Sequence, residues 1–504
     1  MRSRLLKKAA VLAGSGSLIW FFLHALFQPF YCGFNLNSVE LSGLRLANSF
    51  GLLHGLKYPS LENGVFLTPI YGPVGFCAYW PAVLFSLPSN AMLAAQIIAA
   101  ICFFGPVLWI FVGKNLPHSR LDGVLAFLVF GLLACTASVL KVCGFLIHVD
   151  APALGLAALA AGLLYTGTHS DKRLMLSALC TALSVWTKQT MLPLAAALIL
   201  YVWVARGKKA GIRYSVFFAI SFVVVTAAII CIFDVRDLWL NMVLVPFNHP
   251  WAFPDSPRSS PDRWTAGLMV LRQLSGVIAI PCALLLLGLW RDHCAGSFKG
   301  GLSAWLSSNT WFVFTLVGIF LLPSSFLGTV KIGAGSNNLG LSYYFLLISA
   351  LLALIRKRTA DMLLLYVLLA LTVSQNWTIL EQNPIARNEK RFVMDTAWRF
   401  ALKHPGEAYF PGMPLASFMA EKELYHSFIG LWERKAAGLK ILPSHFREGL
   451  PARLKWIIFG PPDWYTPYDK KILGGFPNAK ITTLSELPGW VTLAVNDERA
   501  DHYG

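Results

Sequence analysis

Between positions 88 and 113 no residue is charged, and uncharged runs of similar kind recur at 214–233, 274–290 and 309–330. Crossing a bilayer as a helix takes about 20 apolar residues. Backbone N–H and C=O groups find no water in hydrocarbon, so such runs fold as helices that satisfy their own hydrogen bonds. Repeated along one chain, they dictate a polytopic helical membrane protein. Only 13% of the residues are charged, about half the roughly 25% of soluble domains. The net charge of +17 is concentrated in short runs between the apolar segments. Basic runs there mark cytoplasmic loops, and anionic membrane lipids are their partners. No basic-aromatic array accompanies them, so nucleic acid is not a partner. The nine cysteines end at Cys294 and show no CxxC or Cys/His spacing; they read as small apolar residues.

The basic loops also fix the order of crossings. Arg2 to Lys8, Lys172-Arg173, the run 206–213 and Arg356-Lys357-Arg358 must share one side. That holds only if 65–87 does not cross. This stretch carries Pro69, Pro73 and Pro81 with Tyr71, Tyr79 and Trp80, and it reads as a broken interfacial or re-entrant helix. Spans are predicted over 9–30, 90–113, 122–143, 152–168, 173–187, 190–206, 213–233, 264–290, 308–327, 340–355 and 361–376, about 11 by the rule of ~20 residues each. The first external loop, 31–89, holds an amphipathic helix over 41–56. The predicted fold is thus all-α and polytopic over 1–376, followed by a small soluble α/β domain over 377–504 on the outer face. Strands are predicted at 408–411, 455–459 and 490–495, and helices at 413–426 and 430–441. Asn376-Trp377-Thr378 matches a glycosylation sequon, but it lies against the membrane.

Four polar stretches then fall at the same ends of spans: Glu40, His148-Val149-Asp150, Lys188-Gln189, and 331–338. Glu40 reads either as a solvated residue on an interfacial helix or as a general base. Asp150 precedes Ala151-Pro152 and reads as an N-cap that also faces a cavity. Lys188 interrupts an apolar run, where a cation faces a partner or snorkels, and Arg272 is read the same way. The Gly-rich run beginning at Lys331 offers backbone N–H groups to an anion, or is a plain connector. Carboxylates with cations at membrane depth suit a lipid-linked phosphate substrate, the cations holding the phosphate. No ATP-binding motif is present.

In this pattern the chain resembles the GT-C class of integral membrane glycosyltransferases, in the bacterial branch related to protein O-mannosyltransferases and aminoarabinose transferases. The resemblance rests on Glu40 in the first external loop and on the Tyr/Pro-rich stretch from Tyr71-Gly72-Pro73 to Trp80-Pro81. It also rests on Asp150-Ala151-Pro152, on Lys188-Gln189, and on Lys331, Gly333 and Asn337. It departs from the class in having a lone Glu40 after Asn37-Ser38 where relatives usually carry Asp. The resemblance implies transfer of a sugar, with inversion, from a polyprenyl-phosphate donor to a glycan, lipid or protein acceptor. Glu40 would be the base, with Asp150 and His148 orienting it or the acceptor. Lys188, Lys331 and Arg272 would hold the donor phosphate, and Gln189, Tyr71 and Asn337 would be further substrate contacts. A divalent metal stays open. The implied setting is the bacterial inner membrane, with a cytoplasmic N-terminus. The competing expectations are a transporter or flippase of a lipid-linked or anionic substrate, a polysaccharide polymerase or ligase, or an inactive GT-C-like binding subunit. A transporter predicts internal repeats, which are not evident.

Overall fold

The computed structural model describes residues 23, 36–67, 69–113, 119–166, 170–251, 262–331, 335–356, 392–460, 476 and 478–495. The expected spans at 9–30 and 361–376, Gly333 and the sequon at Asn376 lie outside the described residues.

The protein is a helical bundle that spans the membrane several times. Among the described residues, five helical stretches are long and apolar enough to cross: Pro88–Val112, Gln189–Arg206, Lys208–Ile230, Arg263–Cys294 and Phe312–Thr329. The helices Asp150–Tyr165 and Gly340–Ile355 are apolar but shorter. The span predicted over 122–143 is not one straight helix. It divides into Arg120–Thr136 and Ser138–Phe145, bent by 96°. Ala137 is extended there (ψ 117°), and the bend carries Val142 and Leu146 to one end of the bundle.

The first loop packs onto that same end. The helix Leu36–Leu53 closes at Gly55 (φ 88°), a left-handed position that glycine adopts without a Cβ penalty. The stretch 65–87 forms only the short helix Pro73–Cys77 and a 3-10 turn, Trp80–Leu84. Its prolines remove the amide hydrogens a continuous helix needs. Backbone and side-chain groups of this stretch find partners on the Leu36–Leu53 helix. Asn48 donates to the Leu67 carbonyl (3.0 Å), Ser49 to that of Phe76 (2.7 Å), and Trp80 Nε1 to that of Ser49 (3.1 Å). This is non-helical backbone covered by protein, the circumstance in which a membrane fold tolerates it.

From Val393 onward the chain forms short helices around a four-stranded sheet in the order β1-β2-β4-β3. The strands are Ala408–Tyr409 (β1), Trp456–Gly460 (β2), Lys480–Thr482 (β3) and Val491–Ala494 (β4). β1 runs parallel to β2 and the other pairs are antiparallel. This unit sits on the first loop. Gly43 faces Met394 and Leu415, and Phe50 packs on Phe418 with ring centroids 6.5 Å apart. Asp395 accepts hydrogen bonds from the amide (2.9 Å) and hydroxyl (2.6 Å) of Ser89, at the start of the Pro88–Val112 helix.

Candidate active site

Three breaks in helical structure deliver the central side chains. Asp150 is the first residue of its helix and not its N-cap: that position belongs to Val149, with no side-chain cap. The Asp150 carboxylate is thereby released for tertiary partners. Lys188 has extended backbone (φ −146°, ψ 115°) between the helix ending at Thr187 and the 3-10 turn Gln189–Met191. That break turns its ammonium inward. Asn337 and Asn338 sit on another 3-10 turn, Ser336–Asn338, just before the helix Gly340–Ile355.

These side chains converge on one network. Lys188 Nζ lies 2.5 Å from Asp150 Oδ1 and donates to Asn338 Oδ1 at 2.8 Å. On the other carboxylate oxygen, Asn337 Nδ2 donates at 2.5 Å and His148 Nδ1 stands at 2.8 Å. Asp150, Lys188 and His148 are 0%, 1% and 2% exposed, so the charges are compensated by each other and not by water. Tyr79 Oη donates to the His148 carbonyl (2.6 Å), and the Tyr71 ring meets the imidazole edge-on at 5.0 Å. Burial, reinforced by the positive charge of Arg45, pushes His148 down to about 4; the ring is neutral near pH 7.

Tyr71 is held in place by its neighbours. Its carbonyl accepts from Tyr58 Oη (2.6 Å). A Cβ on Gly72 would collide with the Trp186 carbonyl, so only glycine lets the loop approach the helix that presents Lys188. The Lys188 ammonium sits 5.8 Å from the centre of the Tyr71 ring.

Two cavities of about 340 Å³ each meet at this network. This volume is at the small end of ligand pockets. The first is walled by Leu41, Leu44, Val142 and Leu146, with Arg45, His148 and Asn337 among its polar residues. The second contains Lys188, Gln189 and Lys331 beside Met242, Val243, Phe247 and Leu327. Ile70, Tyr71, Asn338 and Glu433 line both and form the wall between them. Lys331 Nζ donates to the carbonyls of Pro246 (2.7 Å) and Phe247 (2.8 Å), and partial burial lowers its pKa. Gln189 Nε2 bridges the carbonyls of Ile70 and Met242 at 2.9 and 2.8 Å. It ties the first loop to the wall of the second cavity.

Two of the residues singled out in the sequence lie elsewhere. Arg272 is exposed on the Arg263–Cys294 helix and is not among the residues lining either cavity. A long cation at that depth is accommodated by its aliphatic stem along apolar surface. Glu40 is 7% exposed but lies against the C-terminal unit. A Cβ on Gly412 would stand 2.7 Å from Glu40 Oε1. On the same helix Leu41, Leu44 and Arg45 line the first cavity. The carboxylate expected to act as base is not among the residues lining either cavity.

Two lining residues carried no signal that sequence reasoning used. Arg45 is a single cation in an amphipathic helix. Burial lowers its pKa, opposed by the charges of Tyr71, Asp150 and Glu433. Glu433 comes from a helix far along the chain, beside a second charged residue, Arg434. In the structure Arg434 is fully buried and Glu433 only 6% exposed. Among the described residues, no group of three or more His, Cys, Asp or Glu side chains is placed to hold a metal ion. A divalent ion on Asp150 would also face the Lys188 ammonium.

The chain matches no family model and no curated protein. Its structure does match solved ones. The crystal structure of ArnT from Cupriavidus metallidurans bound to undecaprenyl phosphate superposes with a TM-score of 0.52 at 12% identity, covering 96% of this chain and 99% of that one. The apo structure of the same protein gives 0.51 at 13% identity, covering 96% and 98%. The fold is GT-C-like. The match runs nearly end to end, so it includes the C-terminal sheet unit as well as the bundle. At this identity the likeness concerns the fold, and the chemistry must be argued from the side chains above.

Proposed function

We propose that this protein is a glycosyltransferase that moves a sugar from a polyprenyl-phosphate donor to an acceptor at the outer face of a bacterial inner membrane. The observation that carries the reading is the buried Asp150–Lys188–Asn337–His148 network at the junction of two cavities, in a GT-C-like fold. Residues 1–376 would form the membrane catalytic part, with a cytoplasmic N-terminus. Residues 377–504 would form an extracytoplasmic part that covers the cavities.

The second cavity suits the donor. Its apolar side includes Phe247, 74% exposed, and Leu327, 49% exposed, a surface that an isoprenoid chain can follow in from the bilayer. Its cations would meet the phosphate. Two of the three Lys188 hydrogens are used by Asp150 and Asn338, which leaves one for a ligand oxygen. Lys331 adds a second positive charge. As the glycosidic bond breaks, negative charge grows on the leaving phosphate, and fixed cations in a water-poor site stabilise it. Asp150 would hold Lys188 in position and keep it charged. The sugar would lie against Tyr71 at the shared wall, and the acceptor hydroxyl would approach from the first cavity beside Arg45 and His148. Attack from the side opposite the phosphate inverts the anomeric centre. Membrane lipids would surround the bundle, and the acceptor would be a glycan, lipid or protein.

The test uses the full-length protein in detergent with undecaprenyl-phosphate mannose, glucose and aminoarabinose, each with total membrane extract as acceptor source. Release of undecaprenyl phosphate from at least one donor is expected. Lys331→Ala should weaken undecaprenyl phosphate binding about tenfold, in line with loss of a charged hydrogen bond. No release from any donor, together with unchanged lipid-phosphate affinity in Lys331→Ala, would refute the reading.

A further inference from the structure

The helix leading to Lys188 stops at Thr187 and helical structure resumes in full only at Pro193. Two side-chain oxygens in the interval are left over by the fold. Elsewhere in the bundle, threonine hydroxyls find a partner within their own helix. Thr181 donates to the carbonyl of Ser177 (2.8 Å), Thr187 to that of Leu183 (2.8 Å) and Thr329 to that of Ser325 (2.7 Å), each four residues back. Thr190 sits on the 3-10 turn Gln189–Met191, just past the extended Lys188, and has no such continuous turn beneath it. Its Oγ1 is buried with no hydrogen-bond partner among the described residues. At Gln189 the cause is different. The carbonyls of Ile70 and Met242 only accept, so they fix which end of the amide is nitrogen. Nε2 donates to both, at 2.9 and 2.8 Å, and Oε1 is left buried without a donor.

Gln189 and Thr190 both line the second cavity, together with Lys188 and Lys331. Buried polar atoms in a native fold are ordinarily paired, and an unpaired one costs stability that a ligand can restore. The chemistry of the two atoms narrows what that ligand brings. Gln189 Oε1 only accepts, so its partner must carry a hydrogen to donate. An ionised phosphate has none, and an isoprenoid chain has no polar hydrogen. An ammonium would stand beside two lysines. A neutral hydroxyl meets both needs: it donates to Gln189 Oε1 and accepts from Thr190 Oγ1. We propose that Gln189 Oε1 and Thr190 Oγ1 form a subsite for the C2 hydroxyl of the donor sugar, and that this pair selects donors bearing it. The assignment rests on the glycosyl-transfer reading above. C2 is bonded to the anomeric carbon, so its hydroxyl is the ring hydroxyl nearest the phosphate. With the phosphate on Lys188 and Lys331, the residues that directly follow Lys188 are the ones that meet this hydroxyl. A donor lacking it leaves both oxygens unpaired, which is how a site built around a hydroxyl rejects the deoxy analogue.

The experiment measures binding, without acceptor, to full-length wild-type, Thr190→Val and Thr190→Ser proteins in detergent. The ligands are undecaprenyl-phosphate glucose, undecaprenyl-phosphate mannose, their common 2-deoxy analogue, and undecaprenyl phosphate itself. Wild type should bind the tighter of the two hexose donors about 100-fold better than the 2-deoxy analogue, the effect of two hydrogen bonds to buried groups. Val keeps the shape of Thr and removes only the hydroxyl, so in Thr190→Val that ratio should drop about tenfold. Thr190→Ser keeps the hydroxyl and should keep the ratio. Undecaprenyl phosphate has no sugar and should bind all three proteins alike, which a general collapse of the cavity would not allow. A wild-type ratio below about tenfold, or a Thr190→Val ratio within about threefold of wild type, overturns the subsite. Should Thr190→Val fail to fold, the wild-type ratio decides. Release of undecaprenyl phosphate is followed in parallel. Release with a failed ratio overturns the subsite alone, and a wild-type protein that releases none from any donor overturns the glycosyl-transfer reading and the subsite with it.

Discussion

Lys188→Met tests the central network most directly. Met keeps an unbranched apolar stem of similar length and removes only the ammonium. Two contacts vanish, one to Asp150 at 2.5 Å and one to Asn338 at 2.8 Å. Asp150, 0% exposed, then keeps His148, Asn337 and the Cys143 thiol but loses the ammonium held against its carboxylate. Removing one partner of a buried ion pair in this way costs about 3–5 kcal/mol. The double variant Asp150→Asn, Lys188→Met removes both charges, so no uncompensated ion remains. It should cost less than the sum of the two single changes, with a coupling of about 1–3 kcal/mol. The assay is denaturant unfolding of the full-length protein in detergent, followed by tryptophan fluorescence, for both single variants and the double. Turnover is measured separately, because the double variant should recover stability without recovering activity. Additive single costs, or a Lys188→Met cost below about 1 kcal/mol, would refute the claim that this pair is a mutually dependent buried unit.

Other consequences follow from the packing. Gly72→Ala sets a Cβ against the Trp186 carbonyl and should cost about 1–3 kcal/mol as strain, while displacing Tyr71 and raising KM for the donor; a neutral effect on both would contradict the close approach. Asp395→Ala removes both hydrogen bonds from Ser89 and should lower stability by about 1–3 kcal/mol with KM unchanged, read by thermal melts alongside kinetics. His426 is buried between Phe66 and Phe446, and burial lowers its pKa to about 4. Above about pH 6.5 it is neutral folded or unfolded, and stability does not depend on it. As pH falls from 6.5 toward 4 the unfolded chain takes up the proton and the folded one does not, so stability falls by up to about 1.4 kcal/mol per pH unit. His426→Gln should flatten that slope in melts between pH 7 and pH 4.5.

Much of this protein was legible in the sequence because the bilayer leaves a chain few choices. Uncharged runs of about 20 residues have to be helices, and the prolines in 65–87 forbid one there, as the short helix and 3-10 turn at Pro73–Leu84 bear out. Loop charges brought Glu40, Asp150, Lys188 and the 331–338 run to one end, and the side chains of Asp150, Lys188, His148 and Asn337 do touch there. Tertiary structure decided what periodicity could not. The helix-face rotation that puts Arg45 in the cavity and Glu40 on Gly412 depends on where the C-terminal unit docks. The bend at Ala137 depends on what its two halves pack against. Glu433 reaches the wall beside Tyr71 only because Gly430 and Arg434 seat its helix on Phe66, a contact across more than 300 positions of chain. Local sequence sets which segments are helical and which ends are polar. Which polar side chains line the cavities is set by how those segments rotate against one another, and that is a property of packing alone.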